Sequence, residues 1–461
     1  MTVADSNDVT KEYPCLFESI KGKDENEMLK FRAKIKKYEN FIRTFYLTNP
    51  ESSEEQFNTE IIEYSRKLQD EIPLTATKAQ KYYWQARILN QRSDSKDQAL
   101  FLLQKSLKLN AYLVDAWTIS SQILWEKQRL QATVNCIKDA YDTEVSPKTL
   151  AYMSFVLRLS ALNCENKQNK ESLLKESINK AKLAVTQKPK YSFALFCLGM
   201  SYFYYYFNSE NNNRDIILDL SLKILQESAD EGFLRGDLYI NMSEAAIYFQ
   251  NYPKAIECLE NAKKIEPYFC QNKLPNLLEY LSHFASEVAK QKKSLSNRKN
   301  AEEIFKSLNE YDGILQNNGK MIDDKKVSWT SKNLKKRKLS EIKEIEGKNA
   351  EEKSDECIFI VLRILTQINT NFFPVPKAFV VSDENCNVAI LTIYNVSQNF
   401  HLMVNSNLTL FSPVIINVKS PKNPNEQFQC LRCSNPAETL LRDGKCLEPS
   451  ELQSVGITLN A

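Results

Sequence analysis

Residues 236–267 read GDLYINMSEAAIYFQNYPKAIECLENAKKIEP, and this stretch decides the fold. Tyr239, Met242 and Ala246 recur three and four apart, so they share one face of a helix. Asn251-Tyr252-Pro253 interrupts the pattern, and a proline suits the first turn of a new helix. The second helix carries Ala255, Leu259 and Ala262 on one face and stops at Pro267. Small residues at 255 and 262 let the two helices approach closely, and Leu259 fills the seam between them. The stretch predicts a helical hairpin with one apolar side.

One hairpin cannot bury that side alone, so the pattern should recur along the chain. Units in the same phase begin at Gln80, Val114, Lys148, Ser192 and Gly236, with a half-unit from Cys270. The first has Tyr83 and Ala86, then Ala99, Leu103 and Ser106. The second has Trp117 and Ser120-Ser121, then Thr133, Ile137 and Ala140. The third has Ala151 and Ser154, then Ser177, Ala181, Ala184 and Pro189. The fourth has Leu195, Leu198-Gly199 and Tyr202. Starts at 80, 114, 148, 192, 236 and 270 lie 34, 34, 44, 44 and 34 apart. Thirty-four residues is the period of the tetratricopeptide repeat (TPR), and the residue pattern is the TPR pattern. The ten extra residues of the third and fourth units are expected as solvated loops at 163–170 and 208–214, which are rich in Asn and charge.

The fold class that follows is multidomain, an α region and then a β region. Residues 1–24 read as a disordered N-terminus and 25–79 as two capping helices, which cover one end of a stack. Residues 80–292 read as a TPR α-solenoid. Residues 293–355 read as a basic flexible linker: from 290 to 340 there are fourteen Lys/Arg against six Asp/Glu. That run is a solvated tether, a phosphate-contacting patch or, at Lys335-Lys336-Arg337-Lys338, a nuclear import signal. From residue 356 to 450 the periodicity becomes that of strands. Ile358–Leu365, Lys377–Ser382, Asn387–Tyr394, Leu408–Val418 and Gln427–Arg432 are five strand candidates, enough for a small five-stranded OB-fold barrel. Asn395–Leu402 is expected as a helical turn between the third and fourth, and 451–461 as a tail.

Bulk properties exclude several function classes. The formal charge is +3, from 61 basic and 58 acidic residues, so bulk charge does not mark a polyanion binder. No run of about twenty apolar residues is present to span a bilayer. Eleven cysteines are scattered without a secreted framework, and the expectation is a soluble intracellular chain, cytoplasmic and in a second reading also nuclear. With nine glycines and two histidines, His283 and His401, the chain shows neither a phosphate-cradling loop nor a catalytic constellation. It is expected to be no enzyme and to need no cofactor. Cys430 and Cys433 with Cys446 make half a zinc motif with no second half, so no metal is expected. Residues 355–461 carry seven Lys/Arg and nine Asp/Glu, which argues against autonomous binding of single-stranded nucleic acid.

The solenoid is the better place to look for function. The first helix of each TPR hairpin lines a concave groove through positions 2, 5, 9, 12 and 13 of the unit. Position 2 is Lys81, Asp115, Thr149, Phe193, Asp237 and Gln271. Position 5 includes Trp84, Tyr152, Phe196 and Ile240, and position 9 includes Glu244. Positions 12 and 13 include Trp125, Phe203, Tyr204 and Tyr248. Aromatic surface with isolated charges suits an extended peptide, with apolar pockets for affinity and charges for register. The plainer reading of each aromatic is inter-helix core. Arg158 stands inside the apolar run SFVLRLSAL and needs a carboxylate partner or an anionic ligand.

Three stretches carry a family resemblance: MSFVLRLSAL (153–162) followed by AKLAVTQ (181–187), the 236–267 hairpin followed by LLEYL (277–281), and AILTIYNVSQNFHLMVNSNLTLFSP (389–413). With these the chain resembles the family of TPR proteins with a C-terminal OB fold known as the stress-responsive coactivator and tubulin-autoregulation factor, over nearly its whole length and in the same domain order. The resemblance implies an adaptor that reads the Met-Arg-Glu start of nascent tubulin at the ribosome and recruits mRNA-decay machinery. It implies that Arg158 meets the glutamate and Asp237 the arginine. A further family glutamate falls on Gln271, where the charge is lost. Lys290, Lys292 and Lys293 are the approximate counterparts of the family's ribosome-contacting lysines. A second implied role is that of a nuclear scaffold with transcription cofactors in acetyltransferase-dependent stress responses.

Overall fold

The computed structural model describes residues 23–208, 214–269, 271–317, 333–342, 356–369, 376–397, 400–421 and 426–452. The expected disordered N-terminus falls almost entirely outside them, as does the tail beyond 452. Among the described residues fourteen α-helices come first. Helices α1 (Lys23–Thr48) and α2 (Glu54–Asp70) form an opening pair. Five hairpins follow: α3 (Lys78–Leu89) with α4 (Lys96–Leu109), α5 (Val114–Glu126) with α6 (Leu130–Thr143), α7 (Pro147–Leu162) with α8 (Lys167–Gln187), α9 (Ser192–Asn208) with α10 (Arg214–Asp230), and α11 (Gly236–Tyr248) with α12 (Tyr252–Ile265). Then come α13 (Lys273–Leu295) and α14 (Arg298–Asn317).

Local chemistry sets several of the starts. Ser53 and Thr77 cap α2 and α3 in reciprocal boxes with Gln56 and Gln80, and Ser146 does so for α7 with Thr149, ahead of Pro147. Each box satisfies amide donors that the first turn leaves unpaired. Small residues in the seams are fully buried: Ala86, Ala99, Ala140, Ala151, Ala181, Ala184 and Ala255 have no exposed surface. Second-helix serines tie the pairs: Ser106 Oγ donates to the Ala79 carbonyl at 2.8 Å, Ser177 to that of Ser154 at 2.7 Å and Ser221 to that of Gly199 at 2.7 Å. Gly199 marks the closest approach, since a Cβ there would lie 2.7 Å from Leu225 Cγ and Cδ2. The ten extra residues of the third unit do not form a loop throughout 163–170. From Lys167 onward they lengthen α8 to 21 residues, capped by Asn166. The counterpart in the fourth unit, 209–213, lies outside the described residues.

Two compact units emerge, 1–245 with 257–270, and 246–256 with 271–461. The second holds a nine-stranded sheet: β1 (Asn333–Lys336), β2 (Glu356–Ile368), β3 (Lys377–Ser382), β4 (Val388–Ile393), β5 (Asn407–Phe411), β6 (Val414–Lys419), β7 (Gln427–Cys433), β8 (Leu440–Arg442) and β9 (Lys445–Cys446). Five strands are therefore an undercount, yet the ring of the barrel runs through the five candidates. The pairs β7–β4, β4–β3, β3–β2 and β2–β5 lead round one side, and β6–β7 completes it. The fourth candidate supplies both β5 and β6. It breaks at Ser412, whose φ is +48°, and Pro413 has no amide for the ladder. Asn395–Leu402 is not a helix among the described residues; Val396 instead makes an isolated bridge to Leu452.

The expected linker 293–355 is also corrected where it is described; 318–332 and 343–355 lie outside the described residues. Residues 298–317 form α14, which packs Ile304, Leu308 and Tyr311 against Val361. Tyr311 bonds Thr409 Oγ1 at 3.1 Å and accepts from the Gly444 amide at 2.8 Å. The basic run at 335–338 is not a free tether: β1 runs parallel to β2. Lys336 Nζ pairs with Glu384 at 2.6 Å and Lys338 with the same carboxylate at 3.5 Å. The next residue, Leu339, is fully buried. The solenoid boundary at 292 shifts too, since α13 packs on β3, β4 and β7. Strand β4, Val-Ala-Ile-Leu-Thr-Ile, is buried at every position, as a strand covered on both faces must be. The rest of its cover is the turn of the fifth hairpin. Gln250 Nε2 donates to Thr392 Oγ1 at 2.5 Å, and Arg432 sits over the rings of Tyr248, Phe249 and Tyr394 at 4.6, 5.3 and 5.5 Å.

Candidate peptide groove

The first helices of the hairpins gather most of the candidate residues in the first unit, in two groups. The first group centres on Arg158, on α7. It is 3% exposed, although it sits in an apolar helix, and burying an unpaired guanidinium is costly. Its Nη1 donates to the Cys197 carbonyl at 3.2 Å and to Ser201 Oγ at 3.3 Å. Its head lies over the rings of Phe155, at 5.4 Å, and Tyr204, at 5.7 Å. Trp125 meets Phe155 edge to face at 5.7 Å. Burial pushes the Tyr204 hydroxyl up; Arg158 opposes that and the Glu244 carboxylate adds to it. Trp125, Arg158, Tyr204 and Glu244 thus fall in one neighbourhood. Among the described residues Arg158 makes no ion pair.

The second group is a string of charges and rings. Asp115, 6% exposed, pairs with Lys148 and accepts from Tyr83 at 3.4 Å. Arg87 reaches the same tyrosine at 3.1 Å and holds Glu39 bidentately at 2.8 and 3.0 Å. Tyr152 accepts from Gln122, and burial raises its hydroxyl to about 12. Tyr152 packs on Phe193 at 4.8 Å, and Phe196 stacks on Phe233 at 4.6 Å. Asp237 opens α11. It accepts from Arg235 Nε at 3.1 Å and from the Leu238 amide at 2.9 Å. Beside them burial raises the Glu266 carboxyl, opposed by the Gly236 amide and Arg235.

Arg158 and Asp237 therefore have different partners: carbonyl and hydroxyl oxygens for one, a neighbouring arginine for the other. Tyr152, Phe196 and Tyr204 are 5–7% exposed, so most of each ring is inter-helix core. Trp84, expected at the groove, is 1% exposed and belongs to the core. Gln271 lies in the exposed turn before α13, in the second unit. Lys290, Lys292 and Lys293 are exposed near the end of α13, with Lys290 paired to Glu287 at 3.5 Å. Lys148, Arg235, Glu266 and Phe233 escaped the sequence reading. Lys148 is legible in retrospect, one unit after Asp115, whereas Phe233 and Arg235 lie in a connection that the repeat pattern does not index. Cys430 and Cys433 lie on β7 and Cys446 on β9. No cluster of His, Cys, Asp or Glu able to hold a metal ion occurs among the described residues. No helix among them is long and apolar enough to cross a membrane.

A family model described as the tetratricopeptide repeat protein 5 OB fold domain matches residues 333–455, which takes in β1 and its basic run. Tetratricopeptide repeat protein 5 of Mus musculus is 25% identical over 224 residues, 48% of this chain and 50% of that protein. The Homo sapiens protein is 26% identical over 212 residues, 45% and 48% of the two chains. The chain thus spans about half the length of the curated relatives it matches. A thermophilic TPR protein of Thermus thermophilus of known structure aligns at a TM-score of 0.34 and 13% identity, over 40% of this chain and 89% of that one. The chain is a TPR protein with a C-terminal OB fold, similar to tetratricopeptide repeat protein 5.

Proposed function

We propose that this protein-interaction adaptor reads an extended peptide of mixed charge in the groove of its solenoid. The observation that carries the reading is Arg158, 3% exposed and with no ion pair among the described residues. A guanidinium has five N–H donors in a planar fork suited to a carboxylate. Two oxygens, both met by Nη1, leave the rest of that fork to a ligand. An acidic side chain is the ligand such a site favours, with the rings of Phe155, Tyr204 and Trp125 excluding water around it. The Arg235, Asp237 and Glu266 cluster holds one cation against two carboxylates, so it suits a second, basic side chain.

The peptide that meets both demands and fits the family likeness is the Met-Arg-Glu start of nascent tubulin, read at the ribosome so that tubulin mRNA is degraded. Ribosome contact through Lys290, Lys292 and Lys293 completes this reading. The test is titration of a Met-Arg-Glu peptide into the full chain, with Arg158→Ala and a glutamate-to-glutamine peptide as arms. Binding that weakens with either change, and no further with both, supports the pairing. Binding indifferent to both removes it. Ribosome pelleting with all three lysines changed to glutamate checks the docking role separately.

A further inference from the structure

Tyr268 follows the last helix of the fifth hairpin, yet it touches the opening pair of helices. Its ring lies 5.8 Å from that of Tyr46, edge to face. Its hydroxyl donates to the Ser52 carbonyl at 3.4 Å, across 216 residues of sequence. Tyr46 closes the last turn of α1 and packs on Phe57 at 5.0 Å. In an open solenoid each repeat touches only its neighbours. Here the end of the array meets its beginning. The next residue, Phe269, rests on Gly236, where a Cβ would come within 3.0 Å of it. The closure therefore sits beside the start of α11, next to Asp237.

The contact is small. Tyr268 is 44% and Phe269 45% exposed, so little apolar surface holds it, and low-stability contacts of this kind open first. The Tyr46 hydroxyl is buried there without a hydrogen-bond partner, and burial pushes it up to about 12. A water-filled open state would satisfy it.

We propose that Tyr268 is a clasp that closes the solenoid into a ring, so that a peptide enters the groove end-first while it is shut and sideways only when it parts. This rests on the peptide-reading function above and gives its preference for a chain start a structural cause.

Two measurements on the full chain test it. Hydrogen exchange over residues 45–57 should rise in Tyr268→Ala and less in Tyr268→Phe, which keeps the ring. Equal protection in the wild type and Tyr268→Ala overturns the clasp without reference to any ligand. The second measurement is association kinetics with a Met-Arg-Glu peptide bearing a free N-terminus, against the same sequence embedded between two folded domains. The wild type should associate with the free-ended form at least about tenfold faster, because a required opening slows binding, and Tyr268→Ala should erase most of the difference. Equal rates in the wild type overturn the proposal. If no form binds to either protein, the peptide reading fails, while exchange still decides the clasp.

Discussion

Replacing Arg158 by methionine should cost affinity and not stability. In the free chain the guanidinium makes two hydrogen bonds, at 3.2 and 3.3 Å, each worth about 1.5–3 kcal/mol net because the donor is charged. The Phe155 and Tyr204 rings, at 5.4 and 5.7 Å, add about 0.5–2 kcal/mol between them. Against these stands the desolvation of a cation with no ion-pair partner, which costs several kcal/mol. Methionine fills similar space without charge. These terms nearly cancel, and an apolar residue of similar volume in place of a buried charge is often neutral or stabilising, so Arg158→Met should leave stability unchanged or raise it by about 1–2 kcal/mol. In a unit of this size each kcal/mol is about 2–4 °C in Tm. Affinity for an acidic peptide should fall by about 2–5 kcal/mol, or from about thirtyfold to several thousandfold in Kd. Scanning calorimetry and isothermal titration on the same preparation give both numbers. Destabilisation beyond about 2 kcal/mol, with affinity held, would show that Arg158 serves the fold and would refute the reasoning.

Three further outcomes follow from the packing. Gly199→Ala places a Cβ 2.7 Å from Leu225; overpacking of about 1–3 kcal/mol should outweigh the helix-propensity gain of about 1 kcal/mol, and denaturant unfolding should show a net loss. Leu339→Ala should cost about 2–5 kcal/mol, because that residue seals β1 onto the barrel; an unchanged midpoint would mean that the basic run is a free tether after all. Burial raises the Glu266 carboxyl above its ordinary 4.5, so its protonated form favours folding, and that contribution is full below 4.5 and lost as pH rises through the folded value. Glu266→Gln keeps an acceptor for the Gly236 amide and cannot ionise. Its gain over the wild type should therefore grow with pH above 4.5, and urea unfolding at several pH values reads it; a pH-independent difference would remove the cause.

The hairpins were legible because helix pairing leaves a strong periodic trace: small residues recur where two backbones approach, and their spacing survives great divergence elsewhere. The barrel ring was legible for a similar reason, as Val, Ile and Leu cluster in short runs. Long-range partners leave no such trace. The strand at 333–336 is written in lysine, and its pairing depends on Glu384, 48 residues beyond Lys336, so local composition reads as solvated chain. Helix α14 did carry a signal in Ile304, Leu308 and Tyr311, four and three apart, but the charges around them outweighed it. The unbroken apolar run of β4 announced cover on both faces without naming the cover. Within the solenoid, repeat position marked candidate residues but not their company: Asp237 was read as meeting a ligand's arginine, while Arg235, two residues before it, already engages its carboxylate.

Residues 248–252 sit in the turn of a repeat hairpin by sequence and in the wall of the barrel by packing, with Gln250 held to Thr392 and Arg432 caged by Tyr248, Phe249 and Tyr394. Repeat arrays commonly change length in evolution by gaining or losing whole units. In this chain deleting or duplicating the last hairpin would strip or displace the covering of β4, so added or removed repeats should be tolerated only upstream of 236. The barrel is accordingly not a portable cassette: transplanted with a cut at 333, it would carry an apolar flank into water and travel poorly.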